Sequence, residues 1–283
     1  EIFVQLNLNK GDTIYVSADI ANCPLPYIKT SLTKEGIRER EQKWCEFIFS
    51  KIFSMIGEEG TLLVPTFSYS YARNKEAFYL EKTMSDTGPF TEFVRNKKES
   101  VRSLHPIFSV TGIGKNANAI LQNVGKSGYG IASPFMRLGQ YSTKFVFLGI
   151  TIRNLTYFHH LEHLYGVNHM YHKIFTTPVY CGDKQIPGPW FAFVRFLGIG
   201  IEAKIEKLEL FLRRNKQLNE IQFQDAAMQS VSVEHIDQIG IKLLMEDPYV
   251  CVKNPVKVGI KNQEGKGINS CKEEQEVLFQ VPN

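Results

Sequence analysis

Five of the chain's seven histidines fall within fourteen positions, at His159, His160, His163, His169 and His172. The first three lie in Asn154-Leu155-Thr156-Tyr157-Phe158-His159-His160-Leu161-Glu162-His163. If this stretch is helical, Thr156, His159 and Glu162 or His163 recur at three- and four-residue steps and share one face. Imidazole titrates near neutrality, so it can take up a proton and release it again. A neighbouring carboxylate fixes its tautomer and strengthens it as a base. The chemistry on offer is removal of a proton from an attacking nucleophile. The bland alternative is a helix surface that happens to carry histidines, and the density of the cluster favours chemistry.

The same residues also spell H-x-x-E-H, from His159 to His163, the pattern of inverted zinc peptidases. On that reading His159 and His163 bind zinc and Glu162 is the base. So short a match recurs by chance and no distant acidic third ligand stands out, so no metal is expected. Arg102-Ser103-Leu104-His105-Pro106 joins guanidinium, hydroxyl and imidazole ahead of a strand. Such a group can anchor phosphate oxygens; an ordinary turn is the equal alternative. Gly125-Lys126-Ser127 resembles a phosphate loop, but Ile120 stands where the first glycine is needed. It reads instead as a turn before Ser133-Pro134, with Ser133 capping a short helix.

The elements that must position these residues alternate between strands and helices. Asp12 to Ser17 and Thr61 to Phe67 read as buried strands, with Pro65 near the end of the second. Between them Trp44, Phe47, Ile48, Ile52, Met55 and Ile56 predict a helix over Lys34–Ile56 that stops at Gly57. Residues 68–100 show no periodicity and read as a long surface excursion. Strands are predicted over 108–111, 145–150 and 176–181, with a short helix over 115–122. Asn154 is expected to cap a helix running to Tyr165, and 233–245 forms a late helix. The pattern predicts one α/β domain over 1–262, with an irregular acceptor-side insertion at about 182–232 and a tail over 263–283.

Composition narrows the partners. The 283 residues are 43% hydrophobic and 22% charged, which excludes a disordered chain. The formal net charge of +4 comes with no run of basic residues, so no nucleic-acid partner is expected. No apolar stretch is long enough for a membrane span. Five cysteines, far apart and without a CxxC pair, read as reduced thiols of a cytoplasmic protein. A homo-oligomer is left open.

Five pieces occur in order: Gly60-Thr61-Leu62-Leu63-Val64-Pro65-Thr66-Phe67, Arg102 to Gly114, Gly130-Ile131-Ala132-Ser133-Pro134 with Arg137-Leu138, Val146 to Gly149, and Thr156 to Glu162. Over residues 12–173 this series resembles the aminoglycoside 3-N-acetyltransferase family, also called antibiotic N-acetyltransferases. The resemblance implies a single-domain α/β fold unrelated to the GNAT acetyltransferases. It implies acetyl-coenzyme A as donor and a primary amine of an amino sugar as acceptor. Direct transfer is expected because no cysteine lies near the histidine cluster in sequence, and a covalent route would need the fold to bring Cys23 or Cys45 to it. In the T-x-x-H-x-x-E motif it makes His159 the general base, with Thr156 stabilising the charge that develops and Glu162 as its acidic member. Ser17, Arg102, Ser103, His105 and Ser133 resemble parts of the coenzyme A site, although this chain reads Val16-Ser17-Ala18-Asp19 where the family has a histidine before Ser or Ala. The lysines, arginines and aromatics of 68–100 and 182–232 tilt the acceptor away from a polycationic antibiotic. They favour a neutral or anionic amine such as a nucleotide-linked sugar for a surface polysaccharide. A zinc peptidase and a catalytically silent coenzyme A-binding protein are the rival readings.

Overall fold

Period-two alternation along the strand Thr13–Ala18 sets the layering of the molecule. Ile14 and Val16 face one way, onto Ile48, Ile52 and Ile56 of helix Lys34–Ile56. Tyr15 faces the other way, among Leu63, Phe145, Phe147 and the apolar faces of helices Phe158–Tyr165 and Val233–Glu246. The sheet is therefore covered on both sides, which is why its central strands read as near-continuous apolar runs. The computed structural model describes residues 5–23, 27–196, 202–223 and 226–253.

Seven strands form this sheet, in the order Asn219–Phe223, Ala226–Ser232, Lys144–Leu148, Thr13–Ala18, Thr61–Pro65, Val110–Gly114 and Val101–Arg102. Thr13–Ala18 runs parallel to both of its neighbours, and every other pairing is antiparallel. Three parallel strands at the centre thus end on the same edge. A separate antiparallel pair, Met170–Phe175 with Trp190–Arg195, stands beside the helix that carries the histidines.

Helix Lys34–Ile56 has the predicted bounds. Thr33 Oγ1 accepts the Gly36 N–H at 3.2 Å at its start, and Gly57 ends it with a φ of 70°. Three expectations are corrected. Asn154 does not cap the histidine helix: it ends a short 3-10 turn, Ile152–Asn154, and the helix begins at Phe158 without a side-chain cap. The strand expected over 108–111 is Val110–Gly114. The described residues of 182–232 are largely regular. They supply Ala226–Ser232, which pairs with Lys144–Leu148 inside the main sheet. Polar residues disguised that strand. Gln229 is buried because its side chain accepts the Ile152 N–H at 2.6 Å and donates to Glu220 at 2.6 Å, and Ser230 donates to the Leu6 carbonyl at 2.6 Å.

Residues 68–100 are likewise more ordered than their composition suggests. They contain Ser70–Asn74 and Pro89–Arg95, with Arg95 forked onto the Glu92 carboxylate at 2.5 and 2.8 Å. The tail over 263–283 lies outside the described residues. Among the described residues no helix is long and apolar enough to cross a membrane.

Candidate active site

The segments leaving the three parallel strands enclose a cleft of about 430 Å³, walled by Ser17 to Ile20, Pro65 to Tyr69, Asp86 to Pro89, and Ile150 to Thr156. Open α/β sheets place ligands at this edge because the connections diverge there and leave a crevice. A second cleft, also about 430 Å³, lies against the two-stranded pair and contains His159. Tyr69 and Thr156 line both. The two clefts therefore meet at two hydroxyl-bearing residues, and Thr156 is three positions from the candidate base.

His159 is held from behind. The ring Nδ1 lies 2.5 Å from Glu162 Oε2, and the second carboxylate oxygen lies 3.0 Å from Nε2 of His169. Glu162 and His169 are buried, whereas the His159 side chain is 19% exposed on the cleft. Burial alone raises the Glu162 carboxyl, but the charge and hydrogen bonds of His159 and then His169 outweigh it and bring the pKa down to about 2. Glu162 is thus an ionised acceptor at neutral pH, so Nδ1 of His159 carries a hydrogen toward it and Nε2 is the ring nitrogen turned away from the carboxylate. The carbonyl of Thr156 accepts the His159 N–H at 3.0 Å, which ties the residue just ahead of the helix to the base. Thr156 Oγ1 has no hydrogen-bond partner among the described residues and opens on both clefts.

The residues expected at a coenzyme site divide. Ser17 lines the first cleft. All five N–H donors of Arg102 are engaged within the protein: Nε on Ser109 Oγ, Nη1 on the carbonyls of Leu80 and Thr83, and Nη2 on the Thr66 carbonyl and Ser68 Oγ. Ser103 Oγ accepts the Val110 N–H at 2.8 Å. His105 accepts the N–H groups of Ile107 and Phe108 on Nδ1 and donates from Nε2 to the Phe191 carbonyl at 3.1 Å. Burial, only partly opposed by that bond, lowers its pKa to about 4. Ser133 caps helix Pro134–Leu138 by accepting the Met136 N–H. In this geometry Arg102, Ser103, His105 and Ser133 brace the loops around the clefts with atoms that have protein partners.

The zinc spelling does not assemble. Both oxygens of Glu162 are taken by His159 and His169, and His163 turns toward His172 and Phe193, with ring centroids 4.9 and 4.8 Å away. Among the described residues no group of three or more His, Cys, Asp or Glu side chains is arranged to hold a metal ion.

Sequence reasoning noted His169 but gave it no role, because seven residues and a loop separate it from Glu162. It also gave no role to Tyr69, which the fold places at the junction, or to Tyr129, whose ring packs 5.6 Å from that of His159. No local spacing signals either tyrosine.

Fold and site together define an α/β protein with a buried carboxylate holding an imidazole at the meeting point of two clefts. The chain belongs to the aminoglycoside 3-N-acetyltransferase family, whose sequence profile matches residues 35–245. No curated protein matches it in sequence. Solved structures share the fold at low identity. AAC-IIIb, in a binary complex with CoASH, is 19% identical, with a TM-score of 0.70 over 90% of this chain and 96% of that one. The apoenzyme of aminoglycoside acetyltransferase AAC(3)-IVa is 16% identical, with a TM-score of 0.69 over 88% of both chains. The YokD protein from Bacillus subtilis is 18% identical, with a TM-score of 0.67 over 87% of this chain and 91% of that one.

Proposed function

We propose that the protein transfers an acetyl group from acetyl-coenzyme A to the primary amine of an amino sugar, either a nucleotide-linked sugar or an aminoglycoside, with His159 as general base. One observation carries this reading: His159, fixed by Glu162, faces one cleft, and that cleft meets a second at Thr156.

The first cleft suits the donor's slender arm. Its walls combine apolar Ile20, Pro65, Phe67 and Ile150 with polar Ser17, Thr87 and Asn154, a mixture that matches methylene groups interleaved with amides, and also carry the carboxylates of Asp19 and Asp86. When bound, acetyl-coenzyme A supplies an activated thioester carbonyl. The amine arrives mostly as ammonium and must lose a proton before it can attack. His159 Nε2 takes that proton, and Glu162 steadies the imidazolium that forms. Thr156 Oγ1 donates a hydrogen bond to the oxygen that gains negative charge, and one donor of this kind is typically worth about 10²–10³ in rate. As the carbonyl re-forms the C–S bond breaks, the sulfur leaves as the thiol with the proton returned by the His159 imidazolium, and the nitrogen loses its second proton to give the amide. Two clefts joined at one point hold both reactants in register, which lowers the entropic part of the barrier.

A covalent cysteine route is disfavoured by the thiols. Burial, reinforced by Asp19 for Cys23 and by Glu41 for Cys45, pushes both up to about 12, and burial also raises Cys251. Direct transfer remains. The test is release of free thiol from acetyl-coenzyme A across a panel of amines, with wild type and His159→Ala. Turnover that is lost in the variant supports the reading. Amine-dependent turnover that survives in His159→Ala removes His159 as the base.

A further inference from the structure

The cleft that holds His159 is lined by three basic side chains, Arg73, Lys173 and Arg195, and by no carboxylate. None of the three forms an ion pair with an acidic residue among the described residues. Arg73 lies 5.4 Å from the Tyr69 ring centroid and Lys173 5.8 Å from that of Phe175, so each rests its charge on an aromatic face. Arg195 differs. Its Nη1 is buried and has no hydrogen-bond partner among the described residues, although its side chain lines the cleft. A buried guanidinium donor left unpaired costs free energy unless a ligand completes it. The strand Trp190–Arg195 is paired along its length with Met170–Phe175, Arg195 opposite Met170 and Lys173 opposite Ala192, so the ladder fixes both backbones and the two side chains leave opposite faces of it. Arg73 approaches from helix Ser70–Asn74.

We propose that Arg195 forms a phosphate-binding site for the acceptor in the cleft that Arg73 and Lys173 also line, so that the amine acetylated belongs to a phosphate-bearing sugar rather than to a polycation. Guanidinium matches phosphate oxygens in pairs, and the two further cations that line the cleft favour an anionic ligand there. A polycationic antibiotic would instead meet three like charges in this cleft, with no carboxylate on its wall to receive it. This inference rests on the transfer reading, and it concerns which molecule brings the amine.

The experiment has two parts. The first measures kcat/KM with acetyl-coenzyme A for glucosamine, glucosamine 6-phosphate, uridine diphosphate glucosamine and gentamicin, in wild type, Arg195→Gln, Arg195→Lys and Lys173→Gln. The second titrates the same amines calorimetrically into the His159→Ala protein with and without Arg195→Gln. The expected result is a preference of wild type for the phosphorylated amines and a loss of about 10- to 100-fold for them in Arg195→Gln. Arg195→Lys restores part of that loss, and the KM for acetyl-coenzyme A is unchanged. The Lys173→Gln variant, on the partner strand, shows a smaller loss in the same direction and serves if Arg195→Gln does not fold. A preference for gentamicin overturns the proposal. So does a rise in the KM for acetyl-coenzyme A with the phosphate preference intact, because the cations would then hold the donor's own phosphates. If no amine is acetylated but His159→Ala binds a phosphorylated amine through Arg195, the phosphate site stands and the transfer reading falls. Absence of that binding, or transfer to glucosamine without any gain from phosphate, overturns the phosphate site.

Discussion

Glu162 Oε2 lies 2.5 Å from His159 Nδ1, one helical turn away and shielded from water. The carboxylate positions the ring and sets its tautomer. Glu162→Gln keeps the volume but removes the charge, and it is expected to lower kcat by roughly 10²–10⁴ with little change in either KM. Steady-state kinetics with both substrates varied measures this. A KM effect without a kcat effect would mean that Glu162 shapes binding only.

Thr156→Val removes the hydroxyl at the junction of the clefts and keeps the shape. A fall of about 10²–10³ in kcat is expected, with partial recovery in Thr156→Ser. Thermal melting is expected to stay near the wild-type value, because Oγ1 has no hydrogen-bond partner among the described residues. Kinetics and melting read together separate chemistry from folding.

His169→Ala leaves one oxygen of the buried Glu162 without its hydrogen bond. A stability loss of about 1–3 kcal/mol in urea unfolding is expected, together with reduced kcat, because the carboxylate that orients His159 loses its second anchor.

Arg102→Lys tests whether that side chain is a brace. A lysine has three donors on a flexible stem and cannot reproduce the five bonds of the fixed guanidinium. A loss on the order of 3 kcal/mol in urea unfolding is expected, with the KM for acetyl-coenzyme A changed less than about threefold. A large KM effect with stability intact would give the guanidinium a contact with the donor instead.

Stability is expected to fall as pH drops from about 6.5 to about 4. His105 titrates near 6.5 in the unfolded chain and near 4 in the fold, so over that window the unfolded state binds a proton that the folded state refuses. The loss is on the order of 3 kcal/mol at the low end. Urea midpoints measured from pH 7 to 4.5 are expected to decline less steeply in His105→Asn than in wild type. Some slope remains, because burial and the neighbouring His172 also lower His163 to about 4.

By itself the sequence determined helix Lys34–Ile56, the apolar strands beside it and the histidine helix, because each repeats a local period that burial of one face imposes. The pairing of His159 with Glu162 was legible for the same reason, since three residues along a helix bring side chains onto one face. Tertiary structure alone placed Ala226–Ser232 in the main sheet, where buried Gln229 accepts from the Ile152 N–H and buried Ser230 donates to the Leu6 carbonyl, polar positions that break the apolar signal. It alone brought His169 against Glu162, opened one cleft at the ends of the parallel strands and a second against the two-stranded pair, and put Arg73, Lys173 and Arg195 on the wall of the cleft that holds His159. Periodicity reports which face of an element is buried; which elements then meet depends on contacts between residues far apart in the chain, and those leave no local pattern.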